Sequence, residues 1–174
     1  TLNLLKIFGI ESEATENKIN IRHQSFKPSS YTVESDWSGA SYWFSIASLA
    51  NSAQITLKGL LKDSFQGDSQ VVQIMEKLGI KTSFNKEGVL LTKIPSQQKI
   101  TVDFATCPDL AQTIAVVCAA KGVSCKMTGL QTLRIKETDR IAALQNELGK
   151  IGASLEETIY DQEWNLIPPS DHTW

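Results

Sequence analysis

The sequence predicts an α/β (α+β) fold in which helices pack against mixed sheets, and three observations lead to that expectation. Helix-period and strand-period segments alternate along the chain, which calls for layers of helix on sheet. The same order of elements occurs twice, with the second copy about seventy residues after the first, as in a protein built from repeated units. Matching glycines punctuate both copies: Lys58-Gly59-Leu60 recurs as Thr128-Gly129-Leu130, and Lys77-Leu78-Gly79 as Lys150-Ile151-Gly152. Gly79 and Gly152 stand where a helix closes through a left-handed residue.

In chain order, residues 2–8 read as the end of an amphipathic helix closed by Gly9, and residues 11–22 as two short strands around Thr15-Glu16-Asn17. Ser25-Phe26-Lys27-Pro28-Ser29-Ser30 is a polar, proline-containing link, so a boundary is expected at residues 30–36. The first copy follows as a helix at 40–51, a strand at 54–58, a helix at 68–78 and a strand pair at 80–85 and 89–93. Val71, Met75 and Leu78 form the stripe of its second helix, and Gly67-Asp68-Ser69 is the expected cap. Trp43 and Phe44 are expected in the core. The second copy reads as a nearly continuous apolar helix at 109–121, a strand at 123–127, a helix at 139–151 and a strand pair at 153–157 and 163–167. Ile141, Leu144, Leu148 and Ile151 follow helical steps of three and four, which turns Gln145, Asn146 and Lys150 outward.

Composition excludes several classes. The 174 residues are 41% hydrophobic and 21% charged, an ordinary globular balance. A formal net charge of -2 argues against nucleic-acid or membrane-surface binding, which draws on a basic excess. Cys107, Cys118 and Cys125 are an odd set with no CxxC pair, so neither a disulfide framework nor a zinc site is expected. His23 and His172 have no partners at ligand spacing, so no metal site is expected. No apolar run reaches the roughly 18 residues of a membrane span, and no secretory leader is read, so a reduced, cytoplasmic setting is expected. Thr1 is not a methionine and the chain stops at Trp174; both ends are expected to be cuts in a longer protein.

The chemistry concentrates in Leu133-Arg134-Ile135-Lys136-Glu137-Thr138-Asp139-Arg140, which mixes both signs of charge where a helix begins. Such a cluster suits a small anionic substrate. With a helix start near Thr138, Glu137 and Arg140 lie three apart and project toward one ligand. Arg134 and Lys136 share a face if the approach is extended. Asp109 opens its helix after Pro108, a place that also suits a cap. The charged run likewise has a bland alternative as a solvated ion-pair network.

Arg134-Ile135-Lys136-Glu137-Thr138-Asp139-Arg140-Ile141 resembles the RxKExDRx signature of the 5-enolpyruvylshikimate-3-phosphate synthase (3-phosphoshikimate 1-carboxyvinyltransferase) family. The likeness extends in order through Glu34-Ser35-Asp36-Trp37-Ser38-Gly39-Ala40-Ser41, Gln66-Gly67-Asp68 and Cys107-Pro108-Asp109. Trp37 and Gly39 depart from the small residues usual in the first of these, and Asp36 and Ser38 are read as hinge and helix cap. The resemblance implies an inside-out α/β barrel of two lobes, each of three βαβαββ units. Residues 1–33 would be the tail of the first lobe, and 34–174 part of the second, with units at about 37–95 and 97–170.

It also implies the reaction: transfer of the enolpyruvyl group of phosphoenolpyruvate to the 5-hydroxyl of shikimate 3-phosphate, releasing phosphate, without cofactor or metal. By motif position Asp109 would take the hydroxyl proton and Glu137 would donate one to phosphoenolpyruvate. Lys136 and Arg140 would bind substrate. Thr132 stands where some members have a shikimate-phosphate contact, and Arg134 is open to a ligand or an outward structural role. Cys107 is read as a spectator thiol. The parent is expected to be monomeric. The chain alone is expected to be inactive, because the family's amino-terminal lysine site and later DHR segment lie outside it. Two alternatives stay open: an enzyme like the UDP-N-acetylglucosamine enolpyruvyl transferase, which uses a loop cysteine and lacks the KExDR run, and a noncatalytic domain of the same fold.

Overall fold

The computed structural model describes residues 1–171, so His172, weighed above as a metal ligand, lies outside the described residues. Helix α1 (Leu2–Ile7) ends at Gly9, whose φ of +75° is the left-handed conformation that turns the chain back. Strands β1 (Glu13–Thr15) and β2 (Lys18–Asn20) form a separate antiparallel hairpin with every strand residue exposed.

The first copy begins with α2 (Trp37–Leu49), three residues earlier than expected. Asp36 explains the start: its carboxylate accepts from the Ser38 and Gly39 N–H groups, satisfying donors that the helix cannot. Trp37, Ala40, Phe44 and Ala47 are the buried stripe, whereas Trp43 is 52% exposed. The expectation that Trp43 and Phe44 both lie in the core is thereby corrected: the buried face runs through positions 37, 40, 41, 44, 47 and 48, and Trp43, about 100° from Phe44 on the side away from Ser41 and Ser48, falls outside it. Then come β3 (Gln54–Lys58), a 3₁₀ turn (Gly67–Gln70), α3 (Val71–Lys77), β4 (Ile80–Asn85) and β5 (Gly88–Lys93). The helix expected at 68–78 is thus split into turn and helix. The strands form an antiparallel sheet in the order β3-β5-β4.

The second copy contains a strand that the sequence reading left unassigned, β6 (Lys99–Asp103), which pairs in parallel with β7 (Ser124–Thr128). Between them lie a 3₁₀ turn (Pro108–Leu110) and α4 (Ala111–Lys121). A further 3₁₀ turn (Gln131–Ile135), α5 (Arg140–Lys150), β8 (Ser154–Ile159) and β9 (Glu163–Ile167) complete it. The sheet runs β6-β7-β9-β8, giving a full βαβαββ unit. In the first copy the leading strand is absent among the described residues. There the chain before α2 makes a single ladder-like bond to β3's end, from Ser35 N–H to the Gly59 carbonyl (2.8 Å).

One core joins both copies. Helix α2 packs on α3 and α4, with Phe44, Met75, Ile114 and Val117 fully buried; each such side chain contributes about 1.5–3 kcal/mol on leaving water. This packing sets the N-terminal ends of α2 and α4 side by side, where Ser41 Oγ lies 3.4 Å from Thr113 Oγ1. No helix among the described residues is long and apolar enough to cross a membrane.

Candidate active site

The site gathers at the starts of α4 and α5. The turn after β6 is fixed by Phe104 N–H donating to the Thr128 carbonyl (2.9 Å) and Ala105 N–H to Asp103 Oδ1 (3.1 Å). Pro108, with its pre-set φ, then opens the 3₁₀ turn that carries Asp109. Asp109 does not cap the helix: no side chain caps this end. Its carboxylate reaches outward instead, with Oδ1 3.2 Å from Arg140 Nη1 and 3.5 Å from Lys136 Nζ.

At α5 the capping task falls to Asp139, which accepts from the Ile141 and Ala142 N–H groups at 3.0 Å each. With Asp139 so used, Arg140 at the first helical position is free to bridge two carboxylates, and its Nη2 lies 3.0 Å from Glu137 Oε2. Asp109, Lys136, Glu137 and Arg140 are therefore brought into one chain of ion pairs. Lys136 and Arg140 are about one-third exposed and Glu137 is 80% exposed. Exposed pairs of this kind add only about 0–1 kcal/mol of stability each, so their value to the fold is small. The Glu137 N–H and the Arg140 guanidinium hold the Glu137 carboxyl below the usual glutamate range. Beside this group a groove of about 600 Å³ is lined by Ser38, Ser41, Tyr42, Gln112, Asp109 and Arg140.

Asp68, expected in a helix cap, lies beside this group instead, within reach of the charges of Asp109 and Lys136. It caps nothing; its carboxylate is buried and accepts from Ser38 Oγ in a very short hydrogen bond. Burial pushes its pKa up, the Ser38 bond opposes that, and the charges of Asp109 and Asp36 add to the rise while Lys136 offsets part of it. The available signal was the Gln66-Gly67-Asp68 segment itself. Gly67 has a packing reason: a Cβ there would run into the Thr106 carbonyl, so the two copies touch at this turn. Gln70 adds a 2.5 Å hydrogen bond from Nε2 to Thr106 Oγ1.

Cys107 is fully buried and its thiol is pushed up to about 11 by burial and the nearby Asp68 and Asp103 charges, so it stays neutral. Thr132 is exposed on the Gln131–Ile135 turn. Arg134 points the other way from Lys136. Its Nη2 lies 2.9 Å from Glu157 Oε1, its Nε 3.2 Å from Asp161 Oδ1, and its guanidinium covers the Trp164 ring at 5.8 Å. The approach to α5 is a 3₁₀ turn, not the extended segment that would put Arg134 and Lys136 on one face.

A mixed α/β unit with paired carboxylates and cations at neighbouring helix starts has the kinds of group that acid–base chemistry and anion binding require. Comparison with known proteins narrows this. The sequence description of EPSP synthase (3-phosphoshikimate 1-carboxyvinyltransferase) matches residues 1–165, and the chain belongs to that family. A 3-phosphoshikimate 1-carboxyvinyltransferase of Bacteroides fragilis is 43% identical over 159 residues, 90% of this chain and 39% of that protein. One of Methanospirillum hungatei is 34% identical over 163 residues, 90% of this chain and 38% of that protein. The solved EPSP synthase of Acinetobacter baumannii shares the fold with a TM-score of 0.66 at 17% identity, over 97% of this chain and 41% of its own. The chain thus spans about two fifths of the length of the curated relatives it matches.

Proposed function

We propose that the protein carrying this chain transfers the enolpyruvyl (1-carboxyvinyl) group of phosphoenolpyruvate to the 5-hydroxyl of shikimate 3-phosphate, releasing phosphate, in the pathway to aromatic amino acids. The observation that carries this reading is the Lys136–Asp109–Arg140–Glu137 chain of ion pairs, made by motif residues on two helix starts. Adding a hydroxyl across the enol double bond removes a proton from oxygen and places one on the methylene carbon; the adduct then expels phosphate as that carbon gives a proton back, which restores the double bond. A base and an acid are both needed. Asp109, uncommitted to a cap, is the base. Glu137 is the acid, and its environment states the condition: while Arg140 holds it, it stays ionised. An anionic substrate that competes for Arg140 relieves that hold, and the substrate's own negative charge beside Glu137 raises its pKa further, which favours the protonated form that donates. Lys136 and Arg140 hold the substrate anions, Arg140 through its planar fork. Thr132, exposed on the preceding turn, is open to the substrate, whereas Arg134 is engaged by Glu157 and Asp161.

The four ion-paired groups sum to zero charge, two cations against two carboxylates. Two multiply anionic substrates need further cations, so we read this chain as inactive by itself. On the same reading, residues 1–33 are the tail of a first lobe and 34–174 part of a second, and the parent is a cytoplasmic monomer that uses no cofactor and binds neither nucleic acid nor membrane. The cysteine-dependent alternative finds no support, because Cys107, Cys118 and Cys125 are all buried. Phosphate release from phosphoenolpyruvate plus shikimate 3-phosphate tests the reading. Turnover is expected from the protein at the length of its relatives and none from the 174 residues. An inert long form overturns the activity, and an active short form overturns the dependence on further segments.

A further inference from the structure

We propose that Arg134 is a positioning residue that ties the strap bearing Lys136 and Glu137 to the β8–β9 hairpin, and not a substrate contact. Its kinetic arm rests on the function proposed above. The strap is held by few bonds. Among the described residues, none of 134–138 makes a backbone hydrogen bond to another loop or element. What fixes it is Leu133, which is buried, the Asp139 cap at its far end, the Arg134 side chain between them and the exposed ion pairs of Lys136 with Asp109 and Glu137 with Arg140.

The Arg134 anchor is built from both sides of the hairpin. Glu157 Oε1 accepts from the Arg134 guanidinium (2.9 Å) and from the Asp161 N–H (2.5 Å), so one carboxylate both closes the hairpin turn and holds the arginine. Asp161, left-handed at φ +51°, supplies the second carboxylate. Arg134 Nε and Asp161 Oδ1 are shielded from water and have no hydrogen-bond partner, so their ion pair is what satisfies them. Trp164, fully buried, provides the floor under the guanidinium. Lys136 leaves the turn in an extended conformation (φ -74°, ψ -166°), and its ammonium goes to Asp109 on α4. One side chain of the motif therefore grips the hairpin while its neighbour two residues on faces the site. Arg134's charge is already matched by two carboxylates and adds little field for a ligand anion. Its effect on catalysis runs through placement, to which transition-state contacts are sensitive at the 1 Å scale.

The test compares Arg134→Met with the anchor variants Glu157→Gln and Asp161→Asn, singly and together, in the full-length protein. Asparagine tolerates the left-handed backbone, so Asp161→Asn removes charge without removing the turn. The expected result is a kcat loss of about tenfold or more in Arg134→Met and in the double anchor variant, with KM for both substrates within about threefold. Adding Arg134→Met to the anchor pair costs nothing further. Amide hydrogen exchange of residues 133–135, in the Gln131–Ile135 turn at the start of the strap, is expected to quicken in the same variants. A rise in KM of tenfold or more in Arg134→Met, with the anchor variants kinetically unchanged, identifies a ligand contact and overturns the proposal. So does unaltered exchange in the strap. If the unsubstituted protein fails to turn over these substrates, the proposed function falls, and the exchange measurement still decides the tether.

Discussion

The two copies of the repeat differ in what they do with their helix starts. In the first, Asp36 spends its carboxylate on the N–H groups of α2, Asp68 accepts from Ser38, and the ion pair is an exposed, 3.9 Å Lys58–Glu87 contact. In the second, a proline-led 3₁₀ turn starts α4 with no side-chain cap, and Asp109 reaches the cations of the neighbouring helix start. The backbones differ in parallel. Strand β6 pairs with β7 along five residues, from Lys99↔Ser124 to Asp103↔Thr128, whereas the matching edge of β3 has the lone Ser35–Gly59 bond. The fully laddered unit carries the ion-paired group, and its partner lines the groove with Ser38, Ser41 and Tyr42. Rigid elements hold reacting groups more closely than loops do.

The largest expected effect separates the copies by charge. Glu137→Gln or Asp109→Asn in the full-length protein should lower kcat about 10²–10⁴-fold, the usual worth of an acid or base, while Glu87→Gln in the first copy leaves the rate unchanged. Equal, small losses in all three would reduce the second copy's group to surface ion pairs.

Next come the matching turn glycines. Both need a left-handed backbone, Gly59 at φ +76° and Gly129 at φ +74°. A Cβ at Gly129 meets the Ala105 backbone, which cannot yield, and one at Gly59 meets the Ser35 hydroxyl, which can rotate away. Gly129→Ala should therefore cost about 2–4 kcal/mol and Gly59→Ala about 1–2 kcal/mol. Urea unfolding of the two variants ranks them, and the reverse order would show that the first copy's edge is the tighter one.

A smaller effect follows from Asp68. Its folded pKa is raised above the ordinary 3.8, with burial as the main cause. Between the unfolded and the folded pKa the native state binds more protons, so the parent loses stability as pH rises through that window. Asp68→Asn, which still accepts from Ser38, should match the parent below the ordinary aspartate range and be the more stable of the two at neutral pH. Denaturation midpoints at pH 3 and pH 7 check the sign. A variant less stable than the parent at neutral pH would mean that the Ser38 bond and Lys136 outweigh burial.

The smallest is a gain. Gly149 lies in the last turn of α5 with nothing within 4 Å of a Cβ. Gly149→Ala should stabilise by about 0.5–1 kcal/mol, the helix-propensity difference, read as a rise in the thermal midpoint.

Much of this was legible beforehand. The stripe Ile141, Leu144 and Leu148 is buried as its spacing requires, and Gly79 and Gly152 do close helices with positive φ. Strand β6 was readable too, since Lys99 to Asp103 alternates exposed and buried, but it is short and flanked by polar residues. Of the site, Asp109, Lys136, Glu137 and Arg140 were named from the motif, and the structure brings those four together. Asp68 was missed because an acid at the second residue of a polar turn reads as a cap until its neighbours are known. Trp37 was read only as a departure from the small residues of the family segment, yet it is fully buried, with its ring centroid 6.5 Å from that of Phe44.

The sequence by itself determined the elements, their stops and the charge that stands at each helix start. These are local properties, set by side-chain period and by the backbone freedom of single residues. The tertiary structure decided which aspartates cap, Asp36 and Asp139, and which instead meet side chains of other elements, Asp68 and Asp109. It also decided that Arg134 faces the hairpin while Lys136 faces the site. Those choices depend on distances between side chains from elements far apart in the chain, such as Asp109 and Arg140, and only packing α2, α4 and α5 on their sheets fixes such distances.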